Sequence, residues 1–297
     1  MKKLIDLHIH TNLSDGILSP IQVIDEAIKN GVSIIGISDH DTIDAYTDDL
    51  YNYAKANNIK VINSVEISTK TDKCGIHILG YNFDINNKEL KQKLDILKNV
   101  RHKYLYDVAN KLNALGYVLN LDKLSQIKIV TKAHIALDII NNPQNKEILL
   151  KEFNCIPTKG DFIEKIMNEG CKAYVKKETI TPKEASTLIK NANGKVILAH
   201  PVAYKYEDNL NDEEILKIIK EIDADGIESN YILIKNNNKI DESDKWNKFA
   251  LDNNLITTIG SDFHIKDNIH PNIGLINENL NLSEDSIEKI IKNIINN

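Results

Sequence analysis

Histidines and carboxylates recur in short groups along this 297-residue chain. His8 and His10 stand two apart in Asp6-Leu7-His8-Ile9-His10-Thr11, and Asp15 follows in Ser14-Asp15-Gly16. His40 lies in Ser38-Asp39-His40-Asp41, Glu66 in Val65-Glu66-Ile67-Ser68, and His77 opens His77-Ile78-Leu79-Gly80-Tyr81. Far downstream come His200 in Ala199-His200-Pro201 and then Asp262 and His264, again two apart, in Gly260-Ser261-Asp262-Phe263-His264. Imidazole and carboxylate donors without cysteine suit zinc, manganese or iron. Nine such side chains exceed what one ion needs and are better sized for two or three. Taken singly, each has a plainer reading. A lone strand-terminal histidine is more often a hydrogen-bonded core or rim residue than a ligand, and Glu66 alone suits a buried ion pair.

The elements that must position these residues favour convergence. Residues 3–10, 32–38, 60–68, 74–82, 195–201, 225–231 and 255–264 read as strands, being short β-rich runs, several of them nearly continuous in apolar residues. Six of the nine histidines sit in or at the end of these runs. Helical patterns lie between them. Ser19-Pro20-Ile21-Gln22 and Thr181-Pro182-Lys183-Glu184 are capping boxes with proline at the first helical position. Further helices are expected over 42–57 and near 211–222 and 241–253, and a closing amphipathic one begins at Ser283. Strands alternating with helices over short connections imply right-handed βαβ units and a parallel sheet. Seven strands favour a barrel over an open doubly wound sheet. In such a barrel the strand C-termini open at one mouth, where side chains from separate strands meet. Residues 88–180 are different, being lysine-rich with helical spacing. The expected organisation is a barrel from 1–87 and 181–297, with 88–180 inserted as a mainly helical cap over one mouth.

Composition narrows the function classes. With 37 basic and 43 acidic residues the net charge is −6, so a strongly basic nucleic-acid surface and stable duplex binding are not expected. No apolar run approaches the roughly 20 residues needed to span a bilayer. Asp6 and His8 interrupt the N-terminal apolar stretch too early for a signal peptide, so a cytoplasmic product is expected. Cys74, Cys155 and Cys171 form no paired motif and read as reduced thiols. Arg101 is the single arginine.

Together the segments DLHIHT (6–11), SDG (14–16), SDHD (38–41), VEIS (65–68), HILGY (77–81), AHP (199–201) and GSDFH (260–264) resemble the polymerase and histidinol phosphatase (PHP) family, in order and over nearly the whole chain. The resemblance implies a distorted (β/α)7 barrel with a polynuclear metal site at the strand C-termini. It is similar above all to stand-alone members with a helical insertion that act on nucleoside 3′,5′-bisphosphates and short RNA ends. Their insertion motif is matched by Lys132-Ala133-His134-Ile135-Ala136, Phe162 and the stretch from Gly170 to Tyr174.

The resemblance implies three metal positions: His8, His10, Glu66 and Asp262 at the first; Glu66, His77 and His200 at the second; Asp15, His40 and His264 at the third. Arg101, Lys132 and His134 are implied substrate-phosphate contacts. Lys132 stands where these relatives carry arginine, offering a point charge in place of a bidentate fork. Asp39 and Asp41 are expected behind the ligands or at a helix start, with Asp39 available to orient a liganding imidazole. His102 and His270 match nothing and read as surface residues.

The expected activity is metal-dependent phosphate-ester hydrolysis: release of the 3′-phosphate from nucleoside 3′,5′-bisphosphates, and trimming of short 5′-phosphorylated oligoribonucleotides. Two or three divalent ions (manganese, zinc or iron) would serve it. Two of them roughly 3.5–4 Å apart can polarise a bridging water to a metal-bound hydroxide and clamp phosphoryl oxygens for in-line attack, with Glu66 as the implied bridging ligand. Histidinol-phosphate phosphatase is the alternative enzyme, and a non-catalytic metal-stabilised module is the alternative from another class.

Overall fold

The apolar, β-branched runs form strands close to where their pattern places them. The computed structural model describes residues 4–127, 130–176, 178–236, 238–267, 270–274, 276 and 282–295. The strands are β1 (Leu4–Ile9), β2 (Val32–Ile37), β3 (Lys60–Lys70), β4 (Gly75–Tyr81), β5 (Lys195–Leu198), β6 (Gly226–Asn230), β7 (Ile232–Lys235), β8 (Asn238–Asp241) and β9 (Ile256–Ile259). Seven make one mostly parallel sheet in the order β1-β2-β3-β4-β5-β6-β9, while β7 and β8 pair as a separate hairpin that the sequence pattern did not announce. A parallel bridge joins Ile9, the last residue of β1, to Phe263 past the end of β9, and the His10 amide donates to the Phe263 carbonyl at 2.9 Å. The fold is α/β.

The expectation of an all-parallel sheet fails at β4, which runs antiparallel to both β3 and β5. The reason is the connection. A tight turn, in which the Thr71 amide donates to the Cys74 carbonyl at 2.9 Å, joins β3 to β4 with no helix between. A link that short can only reverse the chain. The start of β4 therefore lies beside the end of β3, with Ser68 opposite His77.

The helices are α1 (Pro20–Lys29), α2 (Asp48–Ala56), α3 (Lys88–Ala114), α4 (Leu121–Ser125), α5 (Lys132–Asn141), α6 (Lys146–Phe153), α7 (Lys159–Phe162), α8 (Pro182–Asn191), α9 (Pro201–Glu207), α10 (Asp212–Glu221), α11 (Ser243–Asp252) and α12 (Glu284–Ile295). Both expected capping boxes are formed, at Ser19 with Gln22 and at Thr181 with Glu184. The helix expected over 42–57 starts later, behind a Thr47 cap. Residues 43–47 instead form a loop with Ile43, Ala45 and Tyr46 buried, and the Tyr46 hydroxyl donates to the Ile37 carbonyl at 2.7 Å and accepts from the Ser64 amide at 2.7 Å. That loop ties β2 to β3.

The chain divides into two compact units, Met1–Leu94 with Ile180–Asn297, and Asp95–Thr179. In the first, Ile287, Ile290 and Ile294 of α12 recur at one-face spacing and bury against Ile5, Leu7, Leu79 and Ile197. Each such side chain contributes about 1.5–3 kcal/mol of transfer free energy. The second unit has its own core, built on Leu105, Val108 and Leu112 of α3 with Ile135, Ile139, Leu149 and Phe162. No described helix is long and apolar enough to cross a membrane.

Candidate metal centre

In the first unit, the nine histidines and carboxylates expected to act together do meet. His8 and His10 follow the two-residue period of an extended chain, so both rings leave the same face. Their Nε2 atoms lie 3.1 Å apart. Glu66 Oε2 is 3.3 Å from His8 Nε2 and 3.2 Å from His10 Nε2, and Asp262 Oδ1 is 3.4 and 3.1 Å from the same two atoms. These four side chains form one set that could hold a cation.

Two more sets overlap it. His40, Glu66 and His77 form the second, with His40 Nδ1 3.1 Å from Glu66 Oε2 and His77 Nδ1 2.9 Å from Glu66 Oε1. His10, Asp15, His40 and His264 form the third, with Asp15 Oδ1 3.2 Å from His264 Nε2 and 3.4 Å from His10 Nδ1. His40 thus belongs to two sets, whereas the resemblance implied one. His200 Nε2 lies 3.1 Å from Glu66 Oε1 without completing any of the three. Glu66 touches five imidazoles.

The backbone around these residues departs from regular geometry. Asp41, His200 and Asp262 take φ of 52°, 27° and 52°, in the left-handed region that only glycine enters freely. Gly16, by contrast, is required for space, because a Cβ there would collide with the His10 carbonyl. Asp39 is fully buried and reaches no imidazole directly. Its carboxylate accepts from the Thr11 amide at 2.7 Å, the Thr11 hydroxyl at 2.6 Å and the Ser14 hydroxyl, and Ser14 Oγ lies 3.4 Å from His10 Nδ1. Asp6 binds β1 to the last loops, accepting from the amides of His8, Ser261 and Gly274 at 3.3, 3.0 and 2.8 Å.

Sequence reasoning passed over three residues here. Glu228, fully buried on β6, accepts from His8 Nδ1 at 2.9 Å. The Tyr204 hydroxyl accepts from the His77 amide at 2.9 Å, and the Tyr231 hydroxyl donates to Asp262 Oδ2 at 3.3 Å. A carboxylate inside the buried run Gly-Ile-Glu-Ser-Asn was the one available signal for Glu228.

The electrostatics of the pit favour bound positive charge. Burial disfavours the His10 imidazolium, yet the hydrogen bonds it donates to Asp262 and Glu66 and the Asp15 charge outweigh it and lift the ring to about 10. Burial likewise opposes ionisation of Glu66, but the His40, His77 and His8 rings hold its carboxyl well below the usual range. Asp15 and Asp262 are lowered in the same way against burial, chiefly by His40 and His8 respectively. For His40 burial prevails and pushes the ring down to about 3.

Does a cation suit these donors? A carboxylate can only accept, so Glu228 places the His8 proton on Nδ1 and turns the Nε2 lone pair toward His10, Glu66 and Asp262. Lone-pair atoms this close are stable only around a positive centre, a proton or a metal ion. Asp15 Oδ1 is buried with no hydrogen-bond partner, as a ligand oxygen would be. The residues fit.

The implied substrate contacts lie in the second unit. Arg101 is 5% exposed on α3. Lys132 opens α5 and donates to Asn168 Oδ1 at 2.8 Å. His134 closes the capping box of α5, its Nδ1 accepting from the Thr131 amide at 3.1 Å. His102 is half-buried rather than superficial, while His270 is exposed and pairs with Asp267 at 2.7 Å.

A model of the PHP domain matches residues 6–295. The chain belongs to the PHP family. Among PHP relatives, a protein of Haemophilus influenzae named 5′-3′ exoribonuclease is 30% identical over 266 residues, 89% of this chain and 91% of its own. A 3′,5′-nucleoside bisphosphate phosphatase of Chromobacterium violaceum is 24% identical over 88% of this chain and 87% of its own. The fold also matches a solved structure from Bifidobacterium adolescentis described as a metal-dependent phosphoesterase, with TM-score 0.74, 20% identity and coverage of 99% and 97%.

Proposed function

We propose that this PHP chain is a divalent-metal-dependent phosphoesterase that removes the 3′-phosphate from nucleoside 3′,5′-bisphosphates and trims short 5′-phosphorylated oligoribonucleotides. The observation that carries the reading is the sharing of Glu66, His10 and His40 among three overlapping donor sets, which suits two or three manganese, zinc or iron ions. The names of the Haemophilus and Chromobacterium relatives point to the two substrates. The seven-stranded sheet is read as a distorted (β/α)7 barrel, supported by the bridge from Ile9 at the end of β1 to Phe263 past β9.

When bound, the ions supply an ionised water and neutralise charge on the phosphoryl group. The chain's own residues do the rest. Glu66 joins the sets at its two oxygens. His264 donates Nδ1–H to the Asp262 carbonyl at 2.8 Å, which turns Nε2 toward Asp15. His8 and His10 have no exposure, whereas His77 and His264 keep 33% of their side chains accessible, so substrate approaches on their side.

In this reading Arg101, Lys132 and His134 of the second unit are the contacts for the substrate's phosphates. His134 Nδ1 is committed to its helix cap, so the ring proton resides on Nε2, a donor for a phosphate oxygen. Lys132 and Arg101 add positive charge.

The test is metal analysis of the purified protein. Phosphate release is then measured from adenosine 3′,5′-bisphosphate, 5′-phosphorylated oligoribonucleotides and histidinol phosphate with added manganese. Fastest turnover of the bisphosphate is expected. Faster turnover of histidinol phosphate would replace the substrate assignment, and a folded, metal-loaded protein inert to all three would make the chain a non-catalytic module.

A further inference from the structure

Glu228 is buried where it bridges two of the strands that carry the cluster. Its Oε1 and Oε2 lie 2.9 and 3.2 Å from His8 Nδ1, and Oε2 also accepts from the His200 amide at 2.9 Å. Those two contacts act on separate degrees of freedom. The first fixes the tautomer and ring plane of His8. The second holds the backbone of His200 at φ 27°, a conformation that a non-glycine residue keeps only under restraint.

Gly260 carries the same inference independently. It follows β9, and a Cβ there would collide with both His8 Cβ and Glu228 Oε1. The chain is kept bare at the point where it passes this pair.

We infer that Glu228 is a positioning residue for the metal centre: it aims His8 Nε2 at the first donor set and anchors His200 beside Glu66. The inference rests on the reading of the cluster as a metal site. Carboxylates that hold a liganding imidazole from behind typically govern metal affinity by about 10–100-fold. Glutamine at this position keeps the shape but offers one acceptor oxygen where two are used, so one of the two restraints is lost.

The experiment compares wild type, Glu228→Gln and Gly260→Ala by zinc titration calorimetry and thermal unfolding of the metal-free proteins. Zinc-loaded, 15N-histidine-labelled wild type is examined by NMR in parallel. Both variants should bind zinc about 10–100-fold more weakly, and in the loaded wild type His8 should be ligated through Nε2 with a proton on Nδ1. A folded Glu228→Gln variant with wild-type zinc affinity overturns the inference while leaving the metal centre intact. If that variant fails to fold, the NMR decides, and ligation of His8 through Nδ1 overturns it. A wild type that takes up no zinc, manganese or iron removes the metal-site reading, and this inference with it.

Discussion

His77 Nδ1 lies 2.9 Å from Glu66 Oε1, although the two residues sit on strands that run in opposite directions. The reversal makes the contact possible. Because β4 turns back on β3, its third residue comes level with the end of β3, next to the carboxylate that the other histidines share.

Glu66→Ala removes the one side chain common to the first two donor sets. Hydrolysis of adenosine 3′,5′-bisphosphate should fall by at least about 10²–10³-fold, with the circular dichroism of the wild type retained. Substantial residual turnover at saturating manganese would place the chemistry elsewhere.

The two opposed histidine shifts predict how the metal-free protein responds to pH. His10 is raised to about 10 because Asp262, Glu66 and Asp15 outweigh burial, so its stabilisation is complete below about 6.5 and lost as pH rises toward 10. His40 is lowered to about 3 by burial, so it withholds stability as pH falls from about 6.5 toward 3. Chelator-treated protein should therefore unfold at its highest temperature near pH 6.5. A melting temperature that is flat between pH 4 and 10 contradicts the assignment.

Metal and protons compete for the same lone pairs. Zinc binding near neutral pH should release protons, visible as a dependence of the calorimetric heat on the ionisation enthalpy of the buffer. The apparent affinity should weaken as pH falls. An affinity independent of pH would mean that the imidazoles are not the ligands.

Asp6→Asn keeps the volume of the side chain but turns an amide group toward one of three backbone donors. A loss of about 1–3 kcal/mol is expected in denaturant unfolding. A neutral substitution would show that the loops at Ser261 and Gly274 are held without it.

Arg101→Lys replaces a planar fork by a single ammonium. The KM for adenosine 3′,5′-bisphosphate should rise roughly tenfold, with kcat largely kept. Kinetics identical to wild type would remove Arg101 from the substrate site.

The donors were legible because they obey local rules. Two-residue spacing put His8 with His10 on one face, and strand ends marked His40, His200 and Asp262. The direction of β4 was misread because apolar runs show that a strand exists and are silent about its partner. Asp39 was given the right neighbourhood and the wrong contact: it braces Thr11 and Ser14, whose amide and hydroxyl donors look unremarkable in a list of letters.

Residue types, their periodicity and the helix caps at Ser19 and Thr181 were set by the chain itself, since each depends on neighbours within a few positions. Tertiary structure alone decided that Glu66 meets His200 across 134 residues, that Glu228 stands behind His8 across 220, and that His200 and Asp262 adopt left-handed backbones. Contacts at such separations arise from strand order and the packing of several elements at once, and no short window of sequence encodes them.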